Sequence, residues 1–181
     1  MKNIVVVGAR DMGKTTLVNA LLGWDILPQS YAGIRCRTTH CEKNRLAGDI
    51  WITDTPGFCL YQKTIPEETV RAVSAADTVV AVVGGDDAEP ELMGRLLKDK
   101  KDVCFVIPYS TEDWPGCELS LMDVLHYDAC QCEECYHTDW EQIFCVDPLM
   151  ALVAAIENDA TAQKDSGILP LKERLLGEET L

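Results

Sequence analysis

Gly8-Ala9-Arg10-Asp11-Met12-Gly13-Lys14-Thr15 fits the phosphate-loop pattern G-x-x-x-x-G-K-[ST] without a mismatch. Ile4-Val5-Val6-Val7, directly before it, reads as a buried strand. Thr16-Leu17-Val18-Asn19-Ala20-Leu21-Leu22, directly after it, carries apolar residues at helical spacing. The octapeptide therefore sits between strand and helix, as its mechanism requires. Gly8 and Gly13 let the backbone curl with its N–H groups pointing inward around a phosphate, and the helix start adds its positive dipole end. Lys14 would reach the terminal phosphates and the Thr15 hydroxyl would ligate Mg²⁺. Arg10, Asp11, Met12 and Thr16 complete the loop as nucleotide-binding candidates.

Working outward, strand and helix signals alternate along the 181 residues, as in a parallel sheet covered on both faces. Strands are predicted near Asn3–Val7, Ile50–Asp54, Thr78–Val83, Val103–Ile107 and Ile143–Val146. Helices are predicted over Lys14–Leu22, Pro66–Ala75, Glu89–Lys100, Leu119–His126, Pro148–Asn158 and Leu169–Leu176. Two stretches lack periodicity. One is a long loop over 24–48, of a length that is usually functional. The other is an irregular Cys-rich insertion over 111–139. With no repeat and no linker, residues 1–181 read as a single domain.

A second phosphate-sensing motif follows the strand Ile50-Trp51-Ile52-Thr53. In Asp54-Thr55-Pro56-Gly57, Asp54 is placed to hold Mg²⁺ and Gly57 can present its N–H to a γ-phosphate, having no side chain in the way. The loop over 24–48 contains Thr38-Thr39. One of the two would complete Mg²⁺ coordination, with Thr38 preferred, and ordering of that loop would report the nucleotide.

The formal net charge of −14 argues against a general nucleic-acid binder and against docking on an anionic membrane through a broad basic face. Arg35, Arg37, Lys43 and Arg45 form a local basic strip all the same. No apolar run reaches the length of a membrane span, and the chain opens on a strand rather than a signal peptide. Nine scattered cysteines, an odd number, point to reduced thiols and a cytoplasmic location. Cys130-Gln131-Cys132-Glu133-Glu134-Cys135-Tyr136-His137 gathers three thiols and an imidazole within eight residues. Two readings stand: a Zn²⁺ site on Cys130, Cys132, Cys135 and His137, or reduced cysteines in an acidic loop or under the sheet.

With these motifs in view, the chain resembles P-loop GTPases of the translation-factor-related class. It is most similar to the G domain of bacterial dynamin-like proteins, with Era-like GTPases second. Gly13-Lys14-Thr15-Thr16-Leu17-Val18-Asn19-Ala20-Leu21-Leu22-Gly23 and Asp25-Ile26-Leu27-Pro28 carry the dynamin-like likeness, and Arg37-Thr38-Thr39-His40 the Era-like one. The resemblance implies the three-layer P-loop NTPase fold: an α/β domain with a mainly parallel six-stranded sheet and helices on both faces. It also implies GTP and GDP as ligands, with catalytic roles for Lys14, Thr38 and Gly57.

The departures from the family pattern are specific. No N/T-K-x-D follows Val103–Ile107; Asp113 is the candidate to receive the guanine N1–H and exocyclic amine. Asp147-Pro148 stands where a Ser-Ala backbone motif would touch the base oxygen. Phe58 stands where many GTPases keep a water-orienting Gln. Relatives with such an apolar residue use a monovalent cation held in the phosphate loop, often after pairing of two G domains. Here Asp11 either holds K⁺ or is a plain exposed acid, and Arg10 could act as a finger on the γ-phosphate. The expected function is a GTP-binding switch with slow Mg²⁺-dependent hydrolysis and an unidentified protein partner. The alternatives are a pseudo-GTPase module that binds without turnover and a metal-handling accessory NTPase using the cysteines.

Overall fold

A computed structural model describes residues 1–23, 38–84, 89–110 and 121–177. Six strands, β1 (Lys2–Gly8), β2 (Glu42–Ala47), β3 (Ile50–Asp54), β4 (Thr78–Val82), β5 (Val103–Pro108) and β6 (Ile143–Val146), form one sheet in the order β2-β3-β1-β4-β5-β6. Every pairing is parallel except β2 with β3. The helices are α1 (Lys14–Leu22), α2 (Glu67–Ala75), α3 (Glu89–Leu97), α4 (Leu121–Tyr136), α5 (Pro148–Glu157), α6 (Ala160–Asp165) and α7 (Ile168–Leu176).

Side chains alternate across the strands, so β1 feeds two cores. Ile4 and Val6 pack with Leu17, Leu21, Leu152, Leu171 and Leu175, under α1, α5 and α7. Val5 and Val7 pack with Val73, Leu92, Met93 and Ala129, under α2, α3 and α4. Helices therefore cover both faces, giving the three-layer α/β arrangement predicted from the sequence.

Besides the short α6 (Ala160–Asp165), in a stretch where no helix is predicted, two elements depart from that prediction. The sixth strand, β2, lies inside the segment 24–48 read as loop. Glu42-Lys43-Asn44-Arg45-Leu46-Ala47 has no apolar run because it is an edge strand with Lys43 and Arg45 exposed. Lys43 is held by Asn3 Oδ1 at 2.7 Å and lies 5.3 Å from the Trp51 ring centre. The second departure is α4, which runs to Tyr136 through most of the segment expected to be irregular over 111–139. Leu125, Ala129, Cys132 and Tyr136 recur at helical spacing and form its inner face, and the Tyr136 ring stacks on Phe105 at 4.8 Å. Residues 111–120 of that segment lie outside the described residues, as do 24–37 of the long loop.

The carboxyl end of β6 is braced from α7. Gly167 sits at φ 75°, and a Cβ there would lie 2.2 Å from the Cys145 carbonyl oxygen. Both the left-handed backbone and the close approach require glycine. Arg174 pairs with Asp102, joining α7 to the loop before β5. No helix among the described residues is long and apolar enough to cross a membrane.

Gly167→Ala is expected to destabilise the fold by more than about 2 kcal/mol, since it adds backbone strain to a backbone clash. Urea unfolding with an unchanged m-value checks this; a loss below about 0.5 kcal/mol contradicts it.

Candidate functional site

The register of β1 with β3 sets Val6 opposite Asp54. The phosphate-loop segment and the Asp54 turn thus leave the sheet side by side, at the carboxyl ends where open α/β sheets bind ligands. Gly13, at φ 73°, caps the start of α1, and Asp11 takes a left-handed φ of 63° and is exposed. These two residues turn the loop tightly enough to deliver Lys14 and Thr15 into the first turn of α1.

Three predicted metal-site residues meet. Thr15 Oγ1 donates to Asp54 Oδ2 at 2.7 Å, Thr38 Oγ1 donates to the same oxygen at 3.1 Å, and the two hydroxyls are 3.1 Å apart. Thr39 instead contacts His40 at 3.0 Å, so the structure brings Thr38, not Thr39, to Asp54. Asp54 is 1% exposed and its Oδ1 has no hydrogen-bond partner. Burial pushes the Asp54 carboxyl above its ordinary range, against the hydrogen bonds from Thr15 and Thr38 and the Lys14 charge. A buried carboxylate oxygen without a donor, flanked by two hydroxyls, is an oxygen-only set of the kind hard divalent cations take.

Lys14 is 6% exposed, and Nζ donates to the Ala9 carbonyl at 2.6 Å. Burial lowers its pKa to about 8, with Asp54, Asp11 and Glu89 pulling the other way and Arg10 adding to the drop. A buried ammonium so poorly compensated is a receptor for anionic oxygens. Gly57 packs directly against it. A Cβ on Gly57 would stand 2.8 Å from Lys14 Nζ and 2.8 Å from Arg10 Cα.

The Gly57 turn is laced to the loop by main-chain bonds, Phe58 N to Gly8 O at 3.2 Å and Arg10 N to Phe58 O at 3.1 Å. Arg10 Nε also reaches Gly57 O at 3.3 Å. Sequence reading missed the buttresses of this turn. Thr55 Oγ1 donates to Val6 O at 2.7 Å and Thr69 Oγ1 to Pro56 O at 2.9 Å, both buried. Nothing in a lone Thr announces such a role. Met12 wedges against Gly84, where a Cβ would meet its terminal methyl at 1.9 Å. Phe58 is wholly buried in the core between β1 and α2 to α4.

Other predicted residues are not gathered. Asp113 lies outside the described residues. The cysteine cluster is dispersed by α4, because at 100° per residue Cys130 and Cys132 point to nearly opposite sides. Cys132 is buried in the core, Cys135 is exposed, and His137 follows the helix at φ 51°. Cys130 faces His126 instead, Sγ to Nε2 at 3.9 Å. Among the described residues no three His, Cys, Asp or Glu side chains come close enough to share a metal. The Zn²⁺ reading on Cys130, Cys132, Cys135 and His137 is corrected accordingly: the helix takes the ligands apart.

Sheet order, the loop after β1 and the DxxG turn after β3 define a P-loop GTPase G domain of the translation-factor-related class. A family model for 50S ribosome-binding GTPases matches residues 3–108, and the chain belongs to that family. GTPase Der of Syntrophotalea carbinolica is 23% identical over 191 aligned positions, which take in all of this chain and 44% of that protein. GTPase Der of Nitrobacter hamburgensis is 29% identical over 136 positions, covering 70% of this chain and 30% of the relative. The chain thus spans less than half the length of these curated relatives. Among solved structures, the LeoA bacterial dynamin GTPase from ETEC superposes with a TM-score of 0.64 at 20% identity, over 97% of this chain and 35% of that one. Era, solved with MgGDPNP and a segment of 16S ribosomal RNA, gives 0.58 at 17% identity, over 90% and 56%.

Lys14→Met is expected to abolish nucleotide binding while removing the cost of a buried charge. With its folded pKa near 8 against 10.5 when exposed, Lys14 is neutral in the folded state first as pH rises. Wild type should therefore gain stability relative to Lys14→Met between pH 8 and 10.5. Paired urea melts check the sign, and a difference that is flat over that window contradicts it.

Proposed function

We propose that this chain is a guanine-nucleotide switch that binds GTP and GDP with Mg²⁺ and turns GTP over slowly. The observation that carries the proposal is Asp54. Its Oδ1 is buried without a donor, two hydroxyls converge on its Oδ2, and it lies beside an under-compensated Lys14. Gly8, Arg10, Asp11, Met12, Gly13, Lys14, Thr15 and Thr16 would line the phosphates, and Thr15, Thr38 and Asp54 would hold the ion. Mg²⁺ would supply charge neutralisation at the terminal phosphates. Lys14 would exchange its contact with Ala9 O for phosphate oxygens, and Gly57 would offer its N–H to the γ-phosphate.

Slow turnover follows from Phe58. A wholly buried phenyl ring can neither donate to nor accept from an attacking water. The same observation favours the second reading, a module that binds nucleotide without hydrolysing it. In the first reading a monovalent cation at Asp11, or pairing of two G domains, supplies what Phe58 lacks. The unidentified protein partner would read the positions of the Gly57 turn and of the loop over 24–48.

Calorimetric titration with GTP is expected to show binding with Mg²⁺ that weakens at least tenfold with EDTA; no heat under either condition removes the proposal. Phosphate release should be slow in Na⁺ buffer and rise with K⁺ or with protein concentration. Release indifferent to both would remove the cation and pairing proposals together, and binding with no release would favour the second reading. Gly57→Ala should keep the fold but lose at least tenfold in affinity for a GTP analogue relative to GDP. Its new methyl would crowd Lys14 Nζ and Arg10, and an unchanged ratio would remove Gly57 from the γ-phosphate.

A further inference from the structure

The stretch Pro148-Leu149-Met150-Ala151-Leu152-Val153-Ala154-Ala155-Ile156 fills α5 with apolar residues, and Glu157 is the one charge in the helix. At 100° per residue they divide between two faces. Ala151, Leu152 and Ala154 are buried, the first two in the core with Leu17, Leu171 and Leu175. On the opposite face Leu149 and Val153 are each 44% exposed and Ile156 is 55% exposed. A helix at a protein surface carries a polar outer face, and a helix apolar on every side is enclosed. The inner side of α5 fits the first description and its outer side the second.

The spacing of the outer residues fits a copy of itself. Leu149, Val153 and Ile156 advance by four and then three positions, the seam spacing of paired helices. Val153 stands at the middle of the seam. Two α5 helices laid antiparallel about a twofold axis at Val153 set Leu149 of each copy against Ile156 of the other, and Val153 against Val153. Glu157 then falls beside the amino-terminal turn of the second helix, the end whose backbone dipole favours an anion, and not beside its own counterpart. A helix of ten residues is only about 15 Å long, which is short of the roughly 800 Å² per partner that a standard stable interface buries. Each chain also carries a formal net charge of −14. Pairing along this seam is therefore weak, and salt strengthens it by screening the repulsion between the two chains.

We infer that the outer face of α5 is a self-association surface, on which a second copy of this chain seats its own Leu149, Val153 and Ile156 antiparallel to the first. The inference goes beyond the nucleotide reading and holds whether or not a nucleotide binds. A foreign occupant chosen for opposite charge, such as a basic helix, would show the reverse salt dependence, since screening weakens attraction between unlike charges.

Sedimentation equilibrium of the full chain without nucleotide, its thiols kept reduced, tests the inference. The expected result is a reversible monomer–dimer equilibrium whose dissociation constant falls at least threefold between about 0.05 and about 0.5 M NaCl. Val153→Glu and Val153→Lys each place like charges on the axis, so either variant alone should stay monomeric at the wild-type melting temperature. An equimolar mixture of the two should form dimers again, because Glu then faces Lys across the axis. A wild-type chain that is monomeric at every concentration and salt overturns the inference, and so does association that weakens as salt rises. Neither of those readings depends on a variant. Dimers that persist in both single variants put the contact elsewhere and overturn it too, as does a mixture that stays monomeric.

Discussion

The parallel register of β1 against β3 is the constraint from which the rest follows. Setting Val6 beside Asp54 places a buried carboxylate next to a loop that carries a buried ammonium. Neither charge is comfortable alone. Burial drives Asp54 up and Lys14 down, toward their neutral forms, and each opposes the shift in the other. A one-residue slip would turn Asp54 to the opposite face of the sheet and end that relation. The two cores that fix the register are the apolar alternation of β1 itself, Ile4 and Val6 on one side, Val5 and Val7 on the other.

Around that pair, small polar contacts do the positioning. Thr55 and Thr69 tie the Asp54-Thr55-Pro56-Gly57 turn to β1 and α2, Gly57 backs directly on Lys14 and Arg10, and Met12 packs against Gly84. These contacts are short-range and local to the carboxyl edge of the sheet. The helices behind it contribute mainly burial.

Much of this was legible before any coordinates. The octapeptide Gly8–Thr15 between an apolar strand and a helix marked the candidate phosphate site, and α1 runs over Lys14–Leu22 as its spacing predicted. Asp54 and Gly57 followed from their place after a strand. β2 was not legible, because an edge strand needs no apolar alternation and Glu42–Ala47 shows none. The far half of α4 was hidden by its cysteines: a cluster that suggested a metal is spread around the helix, with one thiol buried, one half-buried and one exposed. The Asp147-Pro148 pair was read as a lost motif. It is equally a helix start, an N-cap followed by Pro at the first helical position.

Phe58 carries a mechanical consequence. Its ring is sunk in the sheet–helix core, and its main chain bridges to Ala9. The turn beyond it, Cys59 to Thr64, is closed by main-chain hydrogen bonds between its two ends and joined to α3 by Lys63 and Glu91, whereas displacing Phe58 itself would open a cavity the size of a phenyl ring beside β1. The six-residue turn therefore stands on a fixed base, with Tyr61 fully exposed at its tip.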